Sequence, residues 1–461
     1  MNEDVTPEVF ASLAAARATA PAWAAAGVRA RLRVLAAARR AIALNATALA
    51  ATIDRDPTDT LVAEVLPLAE AASFLVRHAA GLLAPARPRG GGPLWLWGVQ
   101  SYVVREPCGV VLILAPSNYP LFLAGVQALQ ALAAGNAVCV KPAPGCSAPM
   151  QALAALLAQA GLPRGVLTVL DEDAGPAAVA AGFDHIVLTG SASTGARVLA
   201  AAGLTPCTLE LSGVDAAFVL PGADLDLVAR CLAYGLRLNG GATCIAPRRV
   251  FVTAGQHDAL RDRLAALLPA IADARVPGPV AARLSGLVAA AVAQGAQAVV
   301  APGRPVVVTF AQPGMALLQQ DVFAPWLALI PVADAEAALA ASRLCPYALG
   351  ASIFGPGAAA FARRVHAGSV CVDDIIVPTA DPRLPFEGRG SSGYGATRGA
   401  EGLLRLTVSK SISIRRGRFR PHLDPARPDG ARLFGAMIAA LHGGLPGLRA
   451  AASVLSRRGK A

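Results

Sequence analysis

The chain has 461 residues, 55% of them hydrophobic and 15% charged, and a net charge of +11 at pH 7. This length allows two substantial domains with their own cores, and so apolar a composition excludes a disordered chain. The excess positive charge gathers toward the C-terminus and is not interleaved with aromatic residues over a binding face, which argues against a nucleic-acid partner.

Residues 8 to about 83 carry a helical pattern, with Arg29, Arg31, Arg33, Arg39 and Arg40 set among Leu32, Val34, Leu35 and Ile42. A Pro/Gly/Arg-rich connector follows at 85–93. Residues 94–105 then have the aromatic and β-branched content of a hairpin or extended arm, the kind of element that pairs with another subunit. From 107 to 140 no charged residue occurs, but Pro116, Asn118, Pro120, Gly125 and Gly135 cut the run into lengths that suit a buried α/β core better than a membrane span. Strands are predicted at 109–115, 137–141, 166–170, 185–189 and 208–211, with helices at 121–134, 148–160 and 174–181 between them. Such alternation predicts a parallel sheet whose ligand loops lie at the carboxyl ends of its strands.

Three loops fall at those ends. Pro116 and Pro120 lock an extended turn that leaves the Asn118 amide as a donor, although Pro/Asn loops are also common plain turns. Lys141 ends an apolar strand where a cation could meet a ribose or phosphate, or simply be solvated. Gly190-Ser191-Ala192-Ser193-Thr194-Gly195 joins a strand to a helix and suits a pyrophosphate, unless it only caps the helix. Glu210 sits in an apolar strand, which is costly unless it is hydrogen-bonded or functional; a solvent-facing edge glutamate is the alternative.

The eight cysteines include no CxxC pair, and residues 1–8 are polar and acidic, so a reducing cytoplasmic setting is expected. No His/Cys grouping has metal-ligand spacing, and no metal is expected. Cys244 differs from the other cysteines in its setting. It follows Asn239-Gly240-Gly241-Ala242-Thr243, a Gly-rich turn that presents the thiol, whereas a free cysteine otherwise behaves as a small buried hydrophobe.

The second half predicts strands at 216–220, 249–253, 306–309, 328–331, 350–354 and 369–372. Helices are expected at 225–236, 256–268, 279–294, 334–341 and 358–366, giving a second α/β domain. Residues 408–415 alternate as an exposed strand, a natural partner for the arm at 94. Beyond 416 the chain is basic, with a short apolar helix expected at 433–441; a solvated appendage or a peripheral membrane contact would suit it.

Taken together, PSNYP at 116–120, GNAVCVKP at 135–142, TGSASTG at 189–195, ELSG at 210–213 and NGGATCIAP at 239–247 resemble the motifs of the aldehyde dehydrogenase superfamily, in the family's order. DVFAP at 321–325 and PFEGRGSSGYG at 385–395 extend the likeness to about residue 415, and GVVLILAPSNYPL looks most like the class-3 and fatty-aldehyde branch. The resemblance implies an α/β fold with a Rossmann-type cofactor domain at 1–88 and 107–213, a catalytic thiol domain at 214–400, an oligomerisation arm at 89–106 and 401–415, and a separate basic tail at 416–461. A homodimer or higher homo-oligomer is implied with it.

For the matched residues the resemblance implies roles in NAD- or NADP-dependent oxidation of an aldehyde to a carboxylic acid. Cys244 would be the nucleophile, Asn118 with the Cys244 backbone N–H the holder of the oxyanion, and Glu210 the general base. Pro116, Ser117, Lys141, Gly190, Ser191, Thr194, Gly195, Leu211, Asp321 and Phe323 would contact the cofactor. An apolar aldehyde is expected because Tyr119, Leu121, Thr243 and Ile245 offer little charge. Some positions depart from the pattern: Ala242 replaces Gln, Ser212 a Gly, Val214 a Lys, Asp321 a Glu, and Pro144 a Glu that contacts the adenine ribose, which leaves NAD against NADP open. The alternatives are an acylating, coenzyme A-dependent relative, or a weakly active member with a membrane-associated or assembly role.

Overall fold

The strand Val110–Leu114 is buried at every residue, the pattern of a parallel strand covered by helices on both faces. A computed structural model describes residues 5–456 except 91, 94–95, 272–273, 275, 300–304, 419, 424 and 426–427. Leu94 and Trp95 of the expected arm, and Asp424, Arg427, Arg457, Arg458 and Lys460 of the tail, lie outside the described residues.

Two compact units emerge, Met1–Ala86 with Val103–Ser411 and Arg87–Tyr102 with Ile412–Ala461. The first holds two large sheets. In one, the spatial order is Leu167–Val169, Ala137–Lys141, Val110–Leu114, His185–Gly190, Cys207–Leu211 and Gly393–Tyr394. All pairings are parallel except the last, where Gly393–Tyr394 runs antiparallel to Cys207–Leu211. The chain winds outward from Val110–Leu114 in one direction and then crosses to His185–Gly190, so the order reverses between those two strands. A ligand crevice belongs at their carboxyl ends. One face of this sheet packs on Leu35, Leu68, Leu75, Leu129 and Leu153 from the flanking helices, and the other on Leu13, Val179 and Val198.

The second sheet runs Ser369–Val372, Gly350–Phe354, Asp215–Val219, Pro247–Thr253, Trp326–Val332, Val306–Thr309 and Gln297–Val299. Only the edge strand Gln297–Val299 is antiparallel to its neighbour. Its two faces are likewise covered by helices, as a largely parallel sheet requires.

The predicted strands form within about two residues of their expected ends, and two differences matter for the site. Gly393–Tyr394, inside the PFEGRGSSGYG segment, is a short strand that gives no periodic signal. Residues 399–405, expected partly as arm, fold as the helix Gly399–Arg405, tied to the Phe122–Ala134 helix by Gln130 Nε2 donating to Gly399 O at 3.3 Å. The helix expected at 358–366 ends at Ala362, because Arg364 N and Val365 N bond three residues back instead of four.

Val99–Pro107 and Thr407–Arg415 form a two-stranded ribbon, starting five residues later than the arm predicted at 94. In the second unit, Ser101 and Ser413 share a hydroxyl hydrogen bond at 3.0 Å. The expected tail helix spans Gly430–His442 and packs on a further helix, Gly444–Ser456, which was not expected. No helix among the described residues is long and apolar enough to cross a membrane.

Candidate active site

Asn239 and Gly240 adopt left-handed backbone angles, and Gly241 follows at φ 76°. A Cβ on Gly241 would stand 2.5 Å from the Pro325 backbone, so only glycine lets this turn lie against the DVFAP loop. The turn ends in Cys244, a free cysteine.

The Asn118 loop leaves the strand Val110–Leu114 and is knitted to the thiol turn. Asn118 Oδ1 accepts from Tyr119 N at 3.0 Å, which directs Nδ2 toward Ala242 O at 3.1 Å. Asn239 Nδ2 donates to Asn118 O at 2.8 Å, and the Tyr119 and Thr243 hydroxyls share a hydrogen bond at 2.6 Å. An amide nitrogen carries two hydrogens, so the bond to Ala242 leaves Asn118 one more to give.

Glu210 is 2% exposed. The antiparallel strand Gly393–Tyr394 covers what would otherwise be the sheet edge, with Gly393 opposite Glu210, so the solvent-facing reading is overturned. Glu210 Oε2 accepts from Thr397 Oγ1 at 2.6 Å. Burial pushes its carboxyl above the ordinary range, against the opposing influence of Arg398 and the Thr397 hydroxyl. Burial also pushes the Cys244 thiol up, reinforced by the carboxyls of Glu210 and Asp215 and opposed by Arg398.

Two cavities meet at Cys244 and Glu210. The first, of about 730 Å³, is walled chiefly by Val62, Tyr119, Phe122, Leu123, Ile245 and Phe386. Tyr119, Thr243 and Ile245 line it as expected, whereas Leu121 is wholly buried in the core. The wall is also not free of charge. Asp59 contributes, paired with Arg237 at 2.8 Å, and so does Arg398, which is 5% exposed. The Arg398 guanidinium lies 4.1 Å from the Phe386 ring centroid and donates Nη1 to Thr379 O at 2.5 Å.

The second cavity, of about 610 Å³, opens at the carboxyl ends of the first sheet and is lined by Pro116, Ser117, Asn118, Gly190, Ser191, Leu211, Asp321 and Phe323, among others. Of the other expected cofactor residues, Thr194 and Gly195 lie in the first turn of the helix Ala192–Ala202. Ser191 Oγ caps that helix by accepting from Thr194 N at 3.1 Å. A Cβ on Gly195 would stand 2.8 Å from Leu211, so glycine brings this helix end close to the strand bearing Glu210. Lys141 ends its strand half-buried, outside this cavity, with burial lowering its pKa and Asp173, Glu172 and Asp171 raising it. A helix N-terminus with a hydroxyl cap beside a crevice at a strand-order reversal suits a dinucleotide's pyrophosphate.

Two departures from the family pattern meet each other. Ser212 Oγ donates to Gly190 O at 3.3 Å and stands near the Asp321 carboxylate, whose pKa burial raises and the Ser212 hydroxyl lowers. The added hydroxyl thus stands against the shortened acid.

Thr397 and Arg398 were missed by the motif reading, though they follow its last segment by two and three residues. Arg55 and Glu64, which hold the Asn118 loop from beneath, had no sequence signal at all.

The model of the "Aldehyde dehydrogenase family" matches residues 3–412. The chain is 32% identical over 410 residues to a "Probable coniferyl aldehyde dehydrogenase" of Pseudomonas aeruginosa, covering 83% of this chain and 86% of that protein. It is similar to the structure of an aldehyde dehydrogenase of Mycobacterium tuberculosis complexed with NAD+, at TM-score 0.82 and 27% identity, covering 90% of this chain and 92% of the other. An NADP-dependent glyceraldehyde-3-phosphate dehydrogenase of Bacillus halodurans complexed with NADP aligns at TM-score 0.81 and 27% identity, covering 89% and 91%.

Proposed function

The chain belongs to the aldehyde dehydrogenase family, NAD(P)-dependent oxidoreductases that convert aldehydes to acids, and from that premise we propose that Cys244, Asn118 and Glu210 carry the reaction on an apolar aldehyde. The observation supporting this most is that an apolar cavity and a crevice at the strand-order reversal open onto the same two side chains, Cys244 and Glu210.

Cys244 loses its proton to solvent, and the thiolate sulfur adds to the aldehyde carbon as the carbonyl π bond opens onto oxygen. The resulting oxyanion takes hydrogen bonds from the remaining Asn118 Nδ2 hydrogen and the Cys244 backbone N–H. Collapse of the oxyanion breaks the former aldehyde C–H bond and leaves a thioester on Cys244; NAD(P)+, when bound, would supply the acceptor for the hydride. Glu210 then takes a proton from a water molecule, whose oxygen attacks the thioester and releases the acid and the Cys244 thiol. Gly190, Ser191, Thr194 and Gly195 would hold the cofactor's pyrophosphate, Asp321 and Phe323 its nicotinamide side and Lys141 its adenosine side, with Pro116, Ser117 and Leu211 lining the same crevice. The walls at Val62, Phe122, Leu123 and Phe386 favour an aromatic or aliphatic aldehyde over a charged one.

We further propose that the ribbon of Val99–Pro107 and Thr407–Arg415 joins copies of the chain, since Val408 and Ile414 are exposed on it. Size-exclusion chromatography with light scattering tests this, a monomer sinking it. Phe434 and Ile438 are exposed beside Arg432; unchanged liposome flotation after deletion of residues 416–461 would remove membrane contact from consideration.

The deciding experiment supplies purified enzyme with hexanal, benzaldehyde or succinate semialdehyde and either cofactor, with and without coenzyme A. The expected products are the free acids of the first two with NAD(P)H, abolished in Cys244→Ala. Acyl-CoA formed only when coenzyme A is present would replace this reading by an acylating one.

A further inference from the structure

We propose that Arg55 and Glu64 form a buried clamp that positions the Asn118 amide for the oxyanion, an extension that rests on the role given to Asn118 above. Neither residue lines either cavity. Glu64 is fully buried, with Oε1 paired to Arg55 Nη1 at 3.0 Å. Its Oε2 accepts the backbone N–H of Leu121 at 2.8 Å and of Phe122 at 3.0 Å. Those amides stand at the start of the Phe122–Ala134 helix, whose first turn has no intrahelical acceptors for its N–H groups. Arg55 in turn donates Nη2 to Asn118 O at 2.6 Å and lies 5.1 Å from the Tyr119 ring centroid. The Asn118 carbonyl and the N–H groups three and four residues past it are therefore all held by one ion pair.

The local fold serves this arrangement. Leu61–Val65 is a π-helical turn between Pro57–Thr60 and Leu66–Leu82, and the wider turn shifts the helical register at Glu64. Such a turn is rare and recurs at functional sites. Stability alone is a weak reason for a buried ion pair, since apolar residues of similar volume often serve as well or better. Geometry supplies a stronger reason: a donor aids an oxyanion only when held within about 2.7–3.1 Å of its final position, and Asn118 sits in a loop between two prolines, not on a regular element.

The test is a double-mutant cycle read on the NAD(P)H burst rate with saturating benzaldehyde. Asn118→Ala should slow the burst about 100-fold. Arg55→Met should slow it roughly 10-fold, while the Asn118→Ala/Arg55→Met double variant stays within about twofold of Asn118→Ala, because no donor remains to be positioned. NAD(P)+ affinity, measured by quenching of intrinsic fluorescence, should be unchanged in each. Glu64→Gln, which keeps an acceptor for the two amides but loses the ion pair, provides the second route and should behave like Arg55→Met in both backgrounds. Losses that multiply in the double variants, or a wild-type burst in both Arg55→Met and Glu64→Gln, overturn the clamp. A wild-type burst in Asn118→Ala would instead remove Asn118 from the oxyanion site, and the clamp's purpose with it.

Discussion

Thr397 donates its hydroxyl to Glu210 Oε2 at 2.6 Å, while Glu210 Oε1 accepts no hydrogen bond from the described residues. One oxygen is anchored by Thr397, two residues past the PFEGRGSSGYG segment, and the other is left to take a proton. Glu210→Gln keeps the anchor and removes the base. The expected result is a burst of about one NAD(P)H per site followed by turnover slowed 10²- to 10⁴-fold, with the acyl-enzyme detectable by intact-protein mass spectrometry.

Acid should silence the enzyme earlier than an ordinary carboxylate would. Burial holds the Glu210 carboxyl up, and Arg398 and Thr397 hold it down. A base must be ionised, so kcat falls as pH drops through the raised value. Thr397→Val removes one lowering influence and should move the acid limb of kcat to higher pH; an unmoved limb would assign that limb to another group. Because the folded pKa is raised, the stability tied to neutral Glu210 is fully present at low pH and lost as pH rises. Glu210→Gln should therefore match or exceed the wild-type Tm at pH 8, with the gap closing toward pH 4.

The free enzyme should be slow to alkylate. Burial first, then Glu210 and Asp215, push the Cys244 thiol well above its ordinary range, and the thiolate is the reactive form. Iodoacetamide inactivation should thus be slow at pH 7 and rise about tenfold per pH unit through the alkaline range. Glu210→Gln, by removing the second of those causes, should speed it at any one pH.

Ser212 and Asp321 should behave as a pair. Asp321→Glu alone pushes a longer acid against the Ser212 hydroxyl and should raise the KM for NAD(P)+ roughly tenfold, whereas Ser212→Gly/Asp321→Glu recovers most of the loss, a coupling of about 1 kcal/mol. Equal KM values in the two variants would show that the residues act independently.

Gly241→Ala places a methyl group 2.5 Å from the Pro325 backbone at a positive φ. Strain of this kind costs about 1–3 kcal/mol, and the Cys244 turn is the part free to yield. Thermal denaturation should show a lowered Tm, and aldehyde turnover should fall further than stability accounts for.

Much of the site was legible before any coordinates. Asn118, Gly190, Glu210 and Cys244 announce themselves through turn chemistry and strand ends, Asp321 only through the likeness of DVFAP to a family motif, and all of them line one crevice. Lys141 was equally visible and ends its strand as expected, yet stands outside that crevice, because a strand-end position does not say how far along the groove a residue lies. Leu121 shows the same gap from the other side. Its neighbours Tyr119 and Phe122 face the cavity, but the turn into the helix sends Leu121 into the core.

The sequence by itself determined the βαβ alternation, the loops at strand ends and the order in which Asn118, Glu210 and Cys244 occur, because hydrophobic period and Gly/Pro turn chemistry are local properties of the chain. Tertiary structure alone decided which side chains reach those groups. Thr397 meets Glu210 across 187 positions, and Arg55 meets Asn118 across 63. Such contacts arise only when the fold brings distant elements to one point, and a π-helical turn that aims Glu64 inward leaves no trace in residue periodicity.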